Sequence, residues 1–362
     1  MTSIRRSTRH YEDWLGQQLH GDVVGKDLKR KHEKMRDSPF AFLRATYWRW
    51  AETVLEICPE LAQAPHVLAV GDIHLENFGT WRDADGRLVW GVNDFDEAAA
   101  MPYVLDVVRL ATSAALAHTR RGMRAADSCE ALLAGYRKGL KCPGPIVLER
   151  NNRWLRKLVV VREGERKDFW KDIDEDLEAT KDETVSARYR KAVADAMPAP
   201  ALQTRFARRI AGAGSLGRPR WMGIAAWRGA PVIREVKALV MSAWNRAHNP
   251  DVTAIRCAEV AGGRHRAPDP WYAVTGAIVA RRLSPNNRKI EADDPAFLSI
   301  STKVIKAMGR ELASVHLGQA GSRPKAIKAD LDRRPRGWLV AASQQMADAI
   351  TRDYEAFGGR RA

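Results

Sequence analysis

Two short polar motifs are the most informative segments of this chain: Gly71-Asp72-Ile73-His74-Leu75-Glu76-Asn77 and, farther along, Asn93-Asp94-Phe95-Asp96. Each motif follows a short apolar run that is typical of a buried strand, at residues 66–70 and 88–92. Side chains that follow the end of a buried strand can point into a shared pocket. We therefore expect both motifs to contribute to one site.

The residue types in these motifs suit phosphoryl transfer. We expect two adjacent strands to bring Asp72, Asn77 and Asp94 to the same edge of a sheet. A carboxylate can orient or deprotonate an acceptor, and carboxylate and amide oxygens are ligands that Mg²⁺ prefers. The alternative is that these residues only cap turns, but two such motifs in succession weaken that interpretation. His74 is better suited to bracing its own loop than to proton transfer.

A third motif, Gly212-Ala213-Gly214-Ser215-Leu216-Gly217, has the spacing G-x-G-x-x-G. A dinucleotide-binding loop would lead into a helix, but residues 221–227 and 232–240 predict a hairpin instead. A glycine-rich loop between antiparallel strands is how protein kinases cover the phosphates of ATP, with a lysine on a later strand. Lys237 lies in the second apolar run and could be that lysine. The alternative is an ordinary lysine that extends its amine into solvent.

These motifs resemble those of known families. Asp72-x-His74-x-x-Asn77 followed by Asp94-Phe95-Asp96 resembles the catalytic and metal-binding loops of aminoglycoside and choline phosphotransferases, which belong to the protein-kinase-like superfamily. A closer resemblance, to the bacterial DUF2252 family, rests on four segments of this sequence: 35–44, 71–79, 93–97 and 106–110. That family is grouped with kinase-like folds. The resemblance covers most of residues 31–358 and is most specific in the first 110.

The resemblance implies roles for the residues of the two acidic motifs. Asp72 would be the catalytic base, and Asn77 and Asp94 would bind Mg²⁺. Asp96 would help to hold the metal or would orient its loop. These roles would make the chain an enzyme that uses ATP and Mg²⁺.

The resemblance also implies where the nucleotide binds. Lys237 would contact the α- and β-phosphates of ATP, and we expect its glutamate partner to be Glu259, with Glu235 as the alternative. Asp106 and Arg109, three residues apart on one predicted helix, are expected to form a structural pair. The glycine-rich loop would cover the phosphates through Gly212, Gly214, Ser215 and Gly217.

Periodicity along the chain predicts an α+β protein. After residue 200 the sequence becomes rich in strand patterns, and an apolar strand is predicted at 272–283. Residues 162–195 are typical of exposed helix. Further helices are predicted at 38–57, 104–118, 129–140, 301–316 and 338–357.

The order of the motifs departs from that of ordinary kinases, because the glycine-rich loop and its lysine follow the catalytic Asp. A single site would then require a circularly permuted, bilobal kinase-like fold, with the C-lobe loops before the nucleotide lobe. Four regions are expected in that case: a basic N-terminal segment at 1–37, a C-lobe-like part at 38–200, an N-lobe-like part at 201–292, and helices that return to the C-lobe at 293–362.

Composition narrows the choice of partners. The 362 residues include 60 Lys and Arg against 44 Asp and Glu, for a formal net charge of +16, which favours an anionic partner. No segment approaches the roughly 18 apolar residues of a membrane span, and the N-terminus lacks the apolar core of a secretory signal. The four cysteines have no metal or redox spacing. We therefore expect a cytoplasmic protein that does not bind membranes.

The leading hypothesis is an ATP- and Mg²⁺-dependent phosphotransferase with an unidentified, anionic acceptor. The basic cluster at residues 26–36 is the best clue to that acceptor. A non-enzymatic alternative is a nucleotide-binding pseudokinase or a basic nucleic-acid-binding scaffold, although no nucleic-acid-binding motif supports it. Nucleotidyl transfer and metal-dependent phosphoester hydrolysis are minor alternatives, and the latter lacks the additional histidine motifs that it requires.

Overall fold

Four helices begin the chain in the computed structural model, which describes residues 2–118, 123–180, 185–199, 202–290 and 300–359. The predicted helix at 38–57 begins where expected, because the Ser38 hydroxyl accepts the Ala41 N–H at 3.1 Å. It is nevertheless two helices, since the backbone leaves the helical region at Thr46 (φ −127°, ψ 43°). The four helices are α1 (Ile4–Gln18), α2 (Gly25–Lys34), α3 (Pro39–Ala45) and α4 (Tyr47–Ile57).

Two small antiparallel sheets follow, built from β1 (His66–Ala69), β2 (Phe78–Arg82), β3 (Leu88–Val92), β4 (Ala99–Pro102) and β5 (Ile146–Val147). The predicted strands before the two acidic motifs are confirmed as β1 and β3. Their predicted adjacency is wrong, because β1 pairs with β4 while β3 lies between β2 and β5. After Asp72 the chain turns through a short 3₁₀ helix, Leu75–Asn77, directly into β2, and this local hairpin takes the edge of β3 that β1 would need.

The helical part continues with α5 (Tyr103–His118), α6 (Ala125–Lys141), α7 (Arg153–Val159), α8 (Glu163–Ala179) and α9 (Ala187–Ala196). The helices predicted at 104–118 and 129–140 are therefore confirmed. The exposed helical region predicted at 162–195 is α8 and α9. Residues 181–184, which join them, and the boundary predicted at 200/201 lie outside the described residues.

An antiparallel sheet of five strands comes next, with the order β6-β7-β8-β10-β9. The predicted hairpin is confirmed, with Arg228 and Gly229 forming its turn. The single strand predicted at 272–283 is wrong, because the chain reverses at Gly276 (φ +55°) and forms two strands. The strands are β6 (Thr204–Arg208), β7 (Arg220–Trp227), β8 (Ala230–Ala238), β9 (Ala273–Thr275) and β10 (Ile278–Leu283), and the helices α10 (Ala243–His248) and α11 (Cys257–Ala261) lie between β8 and β9.

Three helices close the described chain: α12 (Thr302–His316), α13 (Pro324–Arg333) and α14 (Trp338–Phe357). The predictions at 301–316 and 338–357 are confirmed as α12 and α14, and α13 was not predicted. The chain is thus an α+β protein. No helix in the described ranges is long and apolar enough to cross a bilayer. The boundary predicted at 292/293 falls in a stretch that the structure does not describe.

Candidate functional site

A cavity of about 700 Å³ is lined by residues of β2 and β3, by the two polar motifs, and by residues of the five-stranded sheet. The sequence-predicted residues that line it are Asp72, Asn77, Asp94, Asp96, Gly212, Gly214 and Ser215. The acidic motifs and the glycine-rich loop, which are far apart in the sequence, therefore meet at one place. This convergence makes the cavity the candidate functional site.

Asp72 is held in a turn that only glycine can precede. Gly71 has φ +83°, and a Cβ atom built there would lie 2.3 Å from the backbone oxygen of Glu97. Burial raises the pKa of Asp72 to about 7, against the opposing charge of Arg109. A carboxyl group that titrates near neutral pH is well matched to accept a proton from a substrate.

Helix α5 anchors this turn through Asp106 and Arg109, which bind the turn and not each other. The Asp106 carboxylate accepts the Val70 N–H at 2.7 Å and the Gly71 N–H at 3.0 Å. Arg109 forms an ion pair with Asp72 and donates to the Leu43 oxygen at 2.9 Å. The predicted Asp106–Arg109 pair is therefore wrong, because each side chain is used to fix a different part of the turn.

His74 and Asn77 brace the short helix that follows. The Glu76 N–H donates to Nδ1 of His74 at 3.2 Å, and the His74 N–H donates to Oδ1 of Asn77 at 2.6 Å. Burial, together with nearby Arg44, lowers the pKa of His74 well below its ordinary value. A buried, neutral histidine that caps its own turn fits the bracing role that the sequence favours.

Lys237 on β8 does not itself line the cavity, but it contacts Asp94 and Asp96 of the second acidic motif, which do. Its ammonium group forms an ion pair with Asp96 and lies 3.7 Å from Oδ1 of Asp94. The lysine is 3% exposed, whereas the Asp94 side chain is 31% exposed. Burial alone would raise the pKa of Asp94, but Lys237, Lys289 and Arg281 hold it well below its ordinary range. Asp94 is therefore an ionised, accessible carboxylate.

The structure does not place Glu259 beside Lys237, so that predicted pairing is wrong. Glu259 is 48% exposed on α11, where it pairs with Arg256 at 2.7 Å. Asp96 takes the place expected for the glutamate. The alternative, Glu235, is buried but pairs with Arg220 at 2.8 Å. The pairing of Lys237 with Asp96 joins residues that are far apart in the sequence, so the residues around Lys237 could not predict it.

The glycine-rich loop joins β6 and β7 and lies directly against Asp72 of the first acidic motif. A Cβ atom built on Gly214 would lie 3.0 Å from Oδ2 of Asp72, so a larger residue would press on that carboxylate. The Ser215 hydroxyl accepts a hydrogen bond from Arg220 at 2.7 Å. Gly217 packs against Leu28 of α2, outside the cavity, and is thus a structural part of the loop rather than a lining residue.

Sequence reasoning missed Lys31, which belongs to the basic N-terminal cluster. Its ammonium group is buried, donates to the Gly214 oxygen at 2.9 Å and lies 4.6 Å from the ring centre of Trp48. The signal was present, because Lys31 continues the apolar stripe of α2 formed by Val24 and Leu28. Lys31 therefore belongs to the support of the glycine-rich loop.

The residues at the cavity can hold a magnesium ion only with help from a substrate. Within the described ranges, no three His, Cys, Asp or Glu side chains are arranged to bind a metal ion. Asp94 is accessible, while Oδ1 of Asn77 is already bonded to His74 and Asp96 is engaged by Lys237. Magnesium commonly takes one or two protein carboxylates and completes its shell with phosphate and water oxygens. Asp94 fits that pattern, whereas the predicted role of Asn77 as a ligand would require its oxygen to bind the metal in addition to the His74 N–H.

Comparison with known proteins supplies a family but no relative of known activity. No curated protein matches the chain, and no solved structure matches it. A family model described as "Uncharacterized protein conserved in bacteria (DUF2252)" matches residues 24–197 and 180–360, which include every residue of the cavity named above. The chain therefore belongs to the DUF2252 family.

Proposed function

We propose that this protein is an ATP- and Mg²⁺-dependent phosphotransferase with a circularly permuted kinase-like fold. The observation that carries the proposal is the contact of Lys237 with Asp94 and Asp96, which line one cavity together with Asp72. Phosphoryl transfer requires few covalent steps from the protein. It requires instead a positioned base, a metal carboxylate and cations on the phosphates.

The permuted fold is supported by where the nucleotide elements lie in the five-stranded sheet. The glycine-rich loop joins its first two strands in chain order, and Lys237 lies on the third. Kinases use the same placement, with a lysine on the third strand. A site depends on the spatial arrangement of its residues, and the order of these elements in the chain does not prevent them from acting together.

In the proposed reaction, Asp72 accepts the proton of the attacking acceptor group. The bond from the acceptor atom to the γ-phosphorus forms as the bond to the β,γ-bridging oxygen breaks, and ADP leaves. Lys237 would place its positive charge beside the phosphates, and Asp94 would be the protein ligand for magnesium, which neutralises phosphate charge when bound. Arg109 fixes the direction of the Asp72 carboxylate, because its own guanidinium is buried.

The test compares ATP labelled at the γ-phosphate with ATP labelled at the α-phosphate. Purified protein, Mg²⁺ and a bacterial extract that retains its small molecules are incubated with each, and the labelled products that the extract alone does not form are separated. We expect transfer of the γ-label only, and loss of transfer in Asp72→Asn and Asp94→Asn. Asp85→Asn is the matched control, because Asp85 is 76% exposed in a turn away from the cavity.

Three outcomes would contradict the proposal. Transfer of the α-label would indicate nucleotidyl transfer. Unchanged γ-transfer in both Asp72→Asn and Asp94→Asn would remove these residues from the reaction. ATP binding without any transfer across the extract would favour a nucleotide-binding protein without turnover.

A further inference from the structure

Three arginines surround a single buried carboxylate beneath the glycine-rich loop. Glu235 on β8 is 1% exposed, and its Oε1 atom lies 2.8 Å from Arg220 and 2.6 Å from Arg281. Its Oε2 atom lies 3.0 Å from Arg209. The three arginines come from three places around the sheet: Arg209 directly follows β6, Arg220 begins β7, and Arg281 lies in the middle of β10.

The strand register explains why these groups meet. Arg281 pairs directly with Glu235 across β8 and β10, and Arg220 pairs with Lys237 across β7 and β8. Residues 235 and 237 are two apart on one strand and share one face of the sheet. The trio therefore lies on the same face as Lys237, and all three arginines line the cavity.

The trio carries more positive charge than its own carboxylate can neutralise. Three guanidinium groups contact Glu235, and the next carboxylate that acts on Arg220 and Arg281 is Asp94, which the proposed function assigns to magnesium. Burying cations without anions is unfavourable, and one arginine would be enough to satisfy one glutamate. Three arginines that contact one carboxylate at one part of the cavity wall indicate an anionic ligand at that part.

The geometry also indicates which anion fits. Arg220 donates to Ser215 at 2.7 Å, so the trio touches the glycine-rich loop. Arg209 and Arg281 remain 24% and 25% exposed, with N–H groups left for a ligand. A guanidinium presents its N–H groups as a planar fork that matches phosphate oxygens, and several forks in a row match a chain of phosphates.

We propose that Arg209, Arg220 and Arg281 form a phosphate-chain subsite that binds a nucleoside triphosphate by its triphosphate tail. Glu235 fixes the orientation of the three guanidinium groups before the ligand arrives. That the ligand carries a nucleoside is an inference that rests on the proposed function. Binding of the phosphate chain does not require phosphoryl transfer. Affinity should therefore fall from ATP to ADP to AMP, and inorganic triphosphate alone should bind.

Calorimetric titration of the full chain with inorganic triphosphate, without added metal, tests the subsite. We expect Arg281→Gln to weaken binding at least about tenfold, since a charge-assisted hydrogen bond is lost. Arg281→Lys keeps the charge but lacks the planar fork, so its affinity for triphosphate should lie between those of the wild type and Arg281→Gln. Arg205→Gln is the matched control, because Arg205 is exposed on β6 outside the cavity and its loss removes the same charge. We expect it to bind as the wild type does.

The subsite is overturned if Arg281→Gln binds triphosphate as tightly as the wild type, or if Arg205→Gln weakens it equally. The same holds if AMP binds as tightly as ATP. Thermal unfolding checks that each variant is folded. If Arg281→Gln does not fold, Arg209→Gln replaces it in the titration. Loss of triphosphate binding in these variants without any γ-phosphate transfer by the wild type would retain the subsite and reject the proposed phosphotransferase. The two failures are thus distinguishable.

Discussion

Arg109 is the buried cation that holds the Asp72 carboxylate in its turn. Its guanidinium is 1% exposed, lies 5.0 Å from the ring centre of Tyr47, and forms an ion pair with Asp72. We expect Arg109→Met to lower the free energy of unfolding by about 3–5 kcal/mol above about pH 8, where Asp72 is ionised in the wild type, because removing one partner leaves the other as an uncompensated buried charge. Urea unfolding followed by circular dichroism measures this loss.

A double variant separates the ion pair from simple packing. Adding Asp72→Asn to Arg109→Met should recover part of the loss, because the unpaired charge is then removed as well. Strictly additive losses would show that the two side chains do not interact in solution. Arg124→Met is the control: Arg124 is 78% exposed beside Asp127, and its loss should change stability by less than about 1 kcal/mol.

Lys31 should make stability depend on pH. Burial, with Arg218 nearby, lowers the pKa of Lys31 to about 7 from 10.5, while Glu12, Asp72 and Glu97 oppose the shift. Between these values the unfolded chain binds the proton and the folded chain does not. The free energy of unfolding must therefore rise with pH in this window, by at most about 1.4 kcal/mol per pH unit for one proton.

Lys31→Met removes that dependence and tests it. We expect the stability difference between wild type and Lys31→Met to shift in favour of the wild type as the pH is raised from 7 to 9, in urea unfolding at each pH. Lys29→Met, an exposed neighbour on the same helix, should track the wild type at every pH. A difference that is constant from pH 7 to 9 would show that Lys31 does not titrate there.

The site could be predicted from sequence only where a motif is local. Asp72, Asn77 and Asp94 are found because each sits in a short polar motif after an apolar strand. The partner of Lys237 is different: Asp96 lies far away in the sequence, and its contact depends on how the sheet docks on the helical part. The same is true of Arg281, whose role follows from strand register and not from its neighbours in the chain.

At the scale of elements, α6 and α12 are held at unusually short range. A Cβ atom built on Gly309 would lie 2.2 Å from the Leu132 oxygen, and one on Gly135 would lie 1.9 Å from the Lys306 oxygen. Helix α12 also carries His316, whose Nε2 lies 3.0 Å from Oδ2 of Asp106. The contact between these helices therefore supports the turn that holds Asp72.

Gly309→Ala should force the two helices apart. We expect a loss of about 3 kcal/mol in the free energy of unfolding, the upper part of the range for overpacking, because the clash is with backbone. Gly16→Ala in α1, where nothing lies within 4 Å of the added Cβ, should instead be neutral or stabilise by up to about 1 kcal/mol. Equal effects of the two changes in urea unfolding would contradict the close packing.

Element boundaries could be predicted where an apolar pattern continues over many residues. The predictions were wrong where a single residue interrupts the element. Helices α5, α12 and α14 follow extended apolar stripes. By contrast, the apolar run at 272–283 hides a turn at Gly276, and the run at 38–57 hides a break at Thr46. In both places the pattern continues across the interruption, so only the backbone reveals it.

At the scale of the whole molecule, the first and last helices lie side by side. Arg5 donates to the Ala356 oxygen at 3.3 Å and to the Phe357 oxygen at 3.2 Å. A short linker could therefore join residues 359 and 2 without disturbing either helix. Permutation is tolerated where the ends are close and the new opening lies between elements, and α9 and β6 provide such an opening.

A permutant opened between Ala196 and Thr204 should fold and bind inorganic triphosphate like the natural chain, because the contacts of the site are spatial. Its order would place the glycine-rich loop and Lys237 before Asp72, as in ordinary kinases. Thermal unfolding and triphosphate titration measure both properties. A second permutant opened inside α12 should fail to unfold cooperatively, because it divides the helix that packs on α6. If the first permutant also failed to fold, the natural chain order would be a requirement of the fold, and the expectation that the site depends only on spatial contacts would be wrong.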